Sequence, residues 1–382
     1  MHVPFCASRC DYCAFATYTD RDHLMSRYVD ACALELSRAY DEGLGNATTV
    51  FVGGGTPSRL GPDLLARLVS GVRARAGAEV TVECNPESTT PALLSALRDA
   101  GATRISLGVQ SLAGHVLAGL GRAQHPGSVE RAVALVGDAG FPTFSVDLVY
   151  GGSGETGRDW SGTLAGVLSL EPSPPHVSAY ALTVEPGTPL ARDPSRHPDD
   201  DVQADRYLEA SSVLADAGLS WYEISNFARP GHECRHNLAC WRQADYRGVG
   251  CAAHSHRSGR RSWNVRSVDR YVEVLERGGD PTAGEETLDP LRRSLERLEL
   301  SLRTREGVPA DALPELDELA PLVERRGGRA VLTVRGRLLA NEVAVRLRVP
   351  GGLVATPSGP GLPAAARGPN TTERGKRGSL MA

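Results

Sequence analysis

Five short runs rich in β-branched and apolar residues punctuate the first half of the chain: TTVFV (48–52), EVTVEC (79–84), RISLGVQ (104–110), FSVDLVY (144–150) and HVSAYAL (176–182). Apolar and polar positions alternate within them, which predicts strands. Between them apolar residues recur three and four apart, as in PDLLARLVSGVRAR and PALLSALRDAG, the latter with a glycine stop. This alternation to about residue 185 predicts βαβ units on a parallel sheet. The first run leads into Gly53-Gly54-Gly55-Thr56-Pro57, the second into Asn85-Pro86 and the third into Ser111. The residues with chemistry therefore fall at the C-terminal ends of strands, the edge where α/β folds bind ligands.

Beyond residue 185 the rhythm changes. A polar, acidic stretch around HPDDD leads into a helix, and WYEISNF reads as a strand. Next comes a loop-rich region, GHECRHNLACWRQADYRGVGCAAHSH, with four of the ten histidines and three cysteines. LDPLRRSLERLELSL (288–302) predicts a helix, and RGGRAVLTVRGRLLANEVAVRL a β-wing followed by a helix. From about residue 351 the chain is Gly, Pro, Ala and Thr without periodicity, the composition of a disordered tail.

The most specific chemical signal stands near the start. Cys6, Cys10 and Cys13 in HVPFCASRCDYCAF form C-x-x-x-C-x-x-C, three thiolates on one loop. A [4Fe-4S] cube takes four thiolates when fully ligated, so three leave one iron open to an exchangeable ligand; in radical chemistry that ligand is S-adenosylmethionine (SAM). Structural zinc is the alternative, with His2 as a fourth ligand, although no second cysteine pair follows at zinc-finger spacing. A disulfide is the weakest reading. Only Met1 to Phe5 precede Cys6, so the strand feeding this loop is expected to be cut short, or the start codon to be placed too late.

Composition narrows the setting. At 41% hydrophobic, 23% charged and a formal net charge of -4, the 382 residues carry no electrostatic footprint for nucleic acid. Lys376 is the only lysine among 42 basic residues, a bias of coding rather than a binding surface. Eight cysteines with neither a signal peptide nor a membrane-spanning run place the chain in the cytoplasm. Cys32 and Cys84 read as buried small hydrophobes.

At the strand ends, a glycine-rich turn such as GGGTP lets backbone approach a ligand closely, or is simply a tight turn. Glu83 can take a ribose hydroxyl pair or sit at a helix N-terminus. Gln110 and Asp147 stand among apolar residues, where they bind a ligand or join a buried polar network. Arg122 can pair with a carboxylate or lie on a solvated helix face.

Taken in order, HVPFC-x3-C-x-YC, VFVGGGTPS, GATRISLGVQS, SVDLVYG, YEISNFARPGHECRHN and LTVRGRLLAN resemble radical SAM proteins of the oxygen-independent coproporphyrinogen III oxidase family, over residues 2 to about 345. The resemblance implies an α/β fold, a partial (β/α)6 radical SAM barrel with a smaller C-terminal winged-helix-like domain. The matching division is 1–185 for the barrel with its truncated first strand, 186–285 for a barrel extension, 286–350 for the C-terminal domain and 351–382 for the tail. It further implies a [4Fe-4S] cluster on Cys6, Cys10 and Cys13, and SAM contacts from Tyr12, Gly54, Gly55, Thr56, Glu83, Gln110, Arg122, Asp147 and Ala181.

Within the family the chain is most similar to the haem chaperone branch. The oxidases carry a further cysteine two positions after the third, where this chain has Phe15, and an N-terminal extension that does not precede this cluster loop. The chaperone branch carries H-N-x-x-Y-W, matched by His236, Asn237 and Trp241, with Cys240 in place of the tyrosine. The family's G-P-G-A-H stands here as Gly250 to His254, and its YCDF as YCAF. The implied function is to bind haem through His236 and Asn237 and deliver it to an acceptor protein. Cys240 is an alternative thiolate ligand and His254 a reserve imidazole. The alternative is the oxidase itself, a radical SAM oxidative decarboxylation in porphyrin biosynthesis. Arg326, Arg329, Arg335, Arg337 and Arg346 lend the wing-and-helix unit a nucleic-acid reading, which the surrounding acids dilute in favour of partner docking.

Overall fold

A computed structural model describes residues 1–350; the tail expected to be disordered lies outside the described residues. Strands β1 (His2–Val3), β2 (Ala47–Gly54), β3 (Ala74–Cys84), β4 (Arg104–Gln110), β5 (Thr143–Tyr150) and β6 (His176–Ala181) run parallel in sequence order. Helices α1 (Met25–Asp41), α2 (Gly61–Ser70), α3 (Pro91–Asp99), α4 (Gly114–Gly119) with α5 (Ser128–Asp138), and α6 (Gly157–Leu168) supply the crossovers. After α7 (Asp200–Asp216), β7 (Ser220–Glu223) and β8 (Asn226–Ala228) add an antiparallel edge, giving the order β1-β2-β3-β4-β5-β6-β8-β7. The partial (β/α)6 barrel expected from the sequence is thus the architecture observed.

Alternation within each strand sorts the two faces of the sheet. Val50, Val52, Val80, Val82, Ile105, Leu107, Val146, Leu148 and Val177 are buried in one core with Leu65, Leu93, Leu94, Leu97, Val133 and Leu164 of the helices. Burying each such side chain contributes about 1.5–3 kcal/mol, and truncating fully buried Leu94 to alanine costs about 2–5 kcal/mol. The residues between them, Thr49, Glu79, Glu83, Arg104, Ser106, Ser145, Asp147, His176 and Ser178, line the inner face. That face is largely polar.

Local signals fix where the crossovers begin. Thr90 caps α3 by accepting from Leu93 N–H, ahead of Pro91 at the first helical position. Thr156 and Asp159 form a reciprocal capping box on α6.

Four expectations need correction. The helix through PDLLARLVSGVRAR ends at Ser70, because Ala74 already pairs with Ala47 as the start of β3. WYEISNF is a hairpin rather than one strand: the Glu223 carboxylate accepts from Ser225 N and from the Asn226 amide, which closes a turn between β7 and β8. The loop-rich region contains α8 (Arg235–Trp241) and β9 (His254–Arg257), which joins β10 (Arg260–Asn264) and, beyond α9 (Val268–Glu276), β11 (Thr282–Thr287) in an antiparallel sheet. Finally, past α10 (Pro290–Leu302) and β12 (Val308–Pro309), the wing β13 (Val323–Arg326) and β14 (Arg329–Leu332) is followed by two short helices, α11 (Val334–Leu338) and α12 (Ala340–Ala344). They are broken at Leu339, whose φ of -109° and ψ of 27° leave the helical region.

These last elements share a second core of Leu302, Val308, Leu313, Leu332 and Val343, into which Ile224 and Trp241 also pack. No helix among the described residues is long and apolar enough to cross a membrane.

Candidate functional site

The cysteine loop leaves β1 at the C-terminal edge of the barrel and is tied at several points. Cys6 N donates to Tyr18 O at 3.0 Å and Tyr18 N to Pro4 O at 2.7 Å, closing its neck. Farther along, Asp11 N reaches Leu120 O at 3.1 Å, Leu190 N reaches Asp11 O at 2.9 Å, and the Asp11 carboxylate pairs with Arg196 at 2.7 Å. Cys6 is buried, Cys10 and Cys13 half-buried. Each therefore keeps a fixed base while part of its loop faces outward.

Glycines set the spacing beneath. Gly55 N donates to Val3 O at 2.7 Å, and a Cβ on Gly55 would lie 3.0 Å from Cys6 Sγ and 2.9 Å from Phe5 O. A Cβ on Gly53 would lie 2.7 Å from Glu83 Cδ. Without those atoms the GGGTP turn lies directly under the first thiol, and Thr56 Oγ1 reaches Cys6 Sγ at 3.5 Å. Gly54 N donates to Glu83 Oε2 at 3.1 Å.

Electrostatics show which groups share the site. Burial pushes the Cys6 and Cys13 thiols above their ordinary values; the Thr56 hydrogen bond partly offsets this for Cys6, and the neighbouring thiols raise both further. Tyr12 is pushed up to about 12 by burial, against the pull of the Arg122 guanidinium, to which it hydrogen-bonds. Arg122 also feels Cys10 and Cys6, and its Nη2 donates to Gly108 O at 3.4 Å. A polar constellation of three thiols, a phenol and a guanidinium therefore forms at one mouth of the barrel.

His2 stands apart from it. Its Nε2–H donates to Ala16 O at 2.9 Å, and burial holds the ring down to about 4. One of its two ring nitrogens is thus engaged by a carbonyl. Among the described residues no group of three His, Cys, Asp or Glu side chains can hold a single metal ion. A [4Fe-4S] cube makes a different demand, because each thiolate bonds its own iron.

The strand ends extend the site inward. Half-buried Glu83 is pushed up to about 8 by burial and by the nearby Asp147 carboxylate, with only the Gly54 N–H and the chain's amino terminus in opposition. Asp147 accepts from Ser106 Oγ at 2.7 Å and Ser178 Oγ at 2.6 Å, and burial still raises it. Gln110 ends β4 in the left-handed region at φ 68°, a conformation that costs a residue with a Cβ on the order of 1 kcal/mol. Ala181 ends β6 opposite Tyr150. The residues expected from the sequence at the strand ends thus lie around one mouth, where the cysteine loop also sits.

His236 and Asn237 lie elsewhere, on α8 against the lower part of the inner face. Thr49 Oγ1 and His236 Nδ1 are 3.1 Å apart, Cys240 Sγ lies 3.8 Å from Nε2, and the ring stacks on Phe51 at 5.3 Å. Burial holds His236 down to about 4, so it is neutral near pH 7. Glu79 fixes the start of α8, accepting from Arg235 N and His236 N at 2.9 Å each and from Cys234 Sγ at 3.5 Å. Asn237 and Trp241 hydrogen-bond to the buried Glu223 carboxyl, which burial pushes up to about 7. Through that carboxyl the YEISN and HNxxxW segments become one structural unit.

Sequence reasoning missed Ser106, Ser178, Glu79, Arg104 and Glu223. For the first four the signal was available, since each occupies the polar phase of a strand whose other phase is apolar. Glu223 was hidden inside a hairpin read as a continuous strand.

Comparison with known proteins agrees with this geometry. The Radical SAM superfamily matches residues 1–165. A Mycobacterium tuberculosis protein named Heme chaperone HemW is 42% identical over 362 residues, covering 90% of this chain and 92% of its own length. Proteins of that name from Escherichia coli and Bacillus subtilis are 38% and 31% identical, over 66% and 90% of this chain and 68% and 97% of their own lengths. Among solved structures, Escherichia coli coproporphyrinogen III oxidase (HemN), a radical SAM enzyme, superposes with a TM-score of 0.78 at 23% identity, covering 90% of this chain and 88% of its own, and thus shares the fold. With its cysteine loop, its glycine turn and an identity of 42% sustained over nine-tenths of its length, this chain belongs to the HemW family of the radical SAM superfamily.

Proposed function

We propose that this protein is a cytoplasmic haem chaperone, binding haem and handing it to an acceptor protein, with a SAM-liganded [4Fe-4S] cluster at the C-terminal mouth of its barrel. The observation that carries this reading is the 42% identity to a protein named Heme chaperone HemW across nine-tenths of both chains. Phe15 supports it, since an exposed phenylalanine stands where the oxidases carry a further cysteine.

Cys6, Cys10 and Cys13 would hold the cluster, and the bare Gly55 lets Cys6 Sγ lie against the turn, since a Cβ there would be 3.0 Å from it. When bound, the cluster supplies one iron open to the amino and carboxylate groups of SAM. Around it the chain's own residues bind and orient. The backbone of Gly54, Gly55 and Thr56 forms the floor, while Glu83 and Asp147 offer carboxyls in a polar, partly desolvated setting. Gln110 and Ala181 bound the strand ends, and Arg122 with Tyr12 closes the side next to the thiols. A cationic ligand beside Glu83 opposes the burial that keeps its carboxyl protonated, so binding draws that proton off. His236 and Asn237 are the family's haem contacts carried onto this chain.

The test is to purify the chain without oxygen, add ferric haem, and follow the Soret band together with transfer to apomyoglobin. A shifted Soret band and transfer faster than from free haem are expected. A spectrum identical to free haem contradicts the chaperone reading, and carbon dioxide released from coproporphyrinogen III with SAM and a reductant establishes the oxidase instead.

A further inference from the structure

Two consecutive residues beyond α10 grip α8, the helix that carries His236 and Asn237, at both of its flanks. Arg305 Nη2 pairs with Glu233 Oε1, just ahead of α8, at 2.8 Å. Glu306 Oε2 accepts from Nε of Arg242, the residue that follows Trp241, at 3.2 Å. Beside this clamp opens a notch of about 620 Å³, lined by Arg305 and Glu306 together with Arg326, Arg329 and Val331 of the wing.

The notch holds more positive charge than the fold uses. Arg242, Arg329 and Arg305 all act on the one Glu306 carboxyl and hold it below its ordinary value, the Arg242 hydrogen bond most of all. Arg329 spends its donors on neutral carbonyls, Nε on Glu306 O at 3.0 Å and Nη2 on Gly307 O at 2.7 Å. The exposed Arg326 has no hydrogen-bond or ionic partner among the described residues. The wing register sets Arg326 directly opposite Arg329 across a Gly327-Gly328 turn with φ values of 54° and 74°. Like charges in directly opposed positions destabilise a strand pair, so an anion bridging the two relieves a repulsion that the hairpin carries. Glu324 stands on the same face two residues from Arg326, outside the notch.

We propose that this notch docks an acidic segment of the haem acceptor, a run of Asp and Glu side chains whose carboxylates bridge Arg326 and Arg329 and reach Arg305. The proposal rests on the haem-chaperone reading, and it brings the acceptor beside α8, from which haem would be handed over. Four guanidiniums, Arg242, Arg305, Arg326 and Arg329, face the two carboxylates Glu233 and Glu306, and that surplus steers a negative segment into the notch. A phosphate backbone offers the same charge, but the helices after the wing do not suit a DNA groove. With five residues each and a break at Leu339, neither α11 nor α12 is long enough to read the major groove. Of the other arginines in this unit, Arg337 lies over the Trp221 ring at 3.7 Å and Arg346 pairs with Glu318 at 2.7 Å, so neither extends a phosphate track.

Fluorescence anisotropy of a labelled oligoglutamate peptide, titrated with the full-length, anaerobically purified chain, tests the docking site. The peptide should bind, and its affinity should fall as salt is raised beyond about 0.15 M. Arg326→Glu should weaken binding by about tenfold and Arg326→Ala by less. Charge reversal at Arg335, an exposed arginine of the same unit outside the notch, should leave the affinity unchanged. A wild-type chain that does not bind the peptide overturns the proposal, as does an unaltered affinity in Arg326→Glu. Equal weakening in Arg326→Glu and Arg335→Glu overturns it too, because the attraction is then diffuse. A DNA duplex that displaces the peptide from the wild type and loses its own affinity in Arg326→Glu overturns it in favour of nucleic acid. Haem titration of the wild type is read separately: peptide binding beside a Soret band identical to free haem keeps the acidic-segment site and contradicts the chaperone reading.

Discussion

Glu79 and Glu83 stand four residues apart on the same strand and the same face of the barrel, yet they live under opposite conditions. Glu79 accepts from two backbone N–H groups and a thiol, and those bonds tie α8 to the sheet. Glu83 accepts from one backbone N–H, faces another carboxylate and is pushed up to about 8. The lower carboxyl has three donors from the fold, whereas the upper one has a single backbone donor. Hydrogen-bond accounting along a single strand thus separates a carboxyl engaged by the fold from the one proposed to meet a ligand.

The sharpest test of that contrast uses the thiols above Glu83. Replacing Cys6, Cys10 or Cys13 with serine should reduce iron from about four atoms per chain to near zero while leaving the thermal unfolding of the barrel cooperative. Gly55→Ala should reduce iron occupancy as well, because its Cβ would crowd Cys6 Sγ and the Phe5 carbonyl; full occupancy would show that the turn is not the floor of the site. In the lower half, Glu79→Gln should cost about 2–4 kcal/mol in denaturant unfolding, since it turns an amide NH2 toward buried donors. Glu83→Gln should cost little and weaken SAM binding by about tenfold with iron unchanged. Equal stability losses in the two variants would erase the distinction.

A pH series reads the same contrast more gently. The folded-state pKa of Glu83 lies above its unfolded value, so the native state holds a proton that the unfolded chain has released. Stability therefore declines as pH rises from about 4.5 towards about 8, and Glu83→Gln should flatten that part of the profile. A slope unaltered by the substitution would place the titration on another group. The smallest effect is expected at Gln110, where glycine should relieve the left-handed backbone and raise stability by about 0.4–1 kcal/mol; a loss instead would mean that its side chain contacts outweigh the strain.

The barrel was legible because its strands obey a strict period of two. EVTVEC and FSVDLVY announce both their faces and, within a residue at most, their C-terminal ends. The thiol loop and the GGGTP turn were legible as spacing. What escaped was everything set by contacts distant in sequence. Nothing local in WYEISNF shows that Glu223 turns the chain back to receive Asn226, Asn237 and Trp241, and nothing near Glu79 shows that it caps a helix begun 156 residues later. The engagement of His236 by Thr49 and Cys240 was equally hidden.

The account stands on three thiols holding a cluster with one open iron, beside a carboxyl that has a single backbone donor. Mössbauer spectroscopy of iron-57-reconstituted chain with and without SAM tests this most directly. The account predicts that SAM alters about one iron in four and that Glu83→Gln requires more SAM for the same change. A spectrum in which all irons respond alike, or none does, would contradict it, as would a preparation that takes up zinc in place of iron.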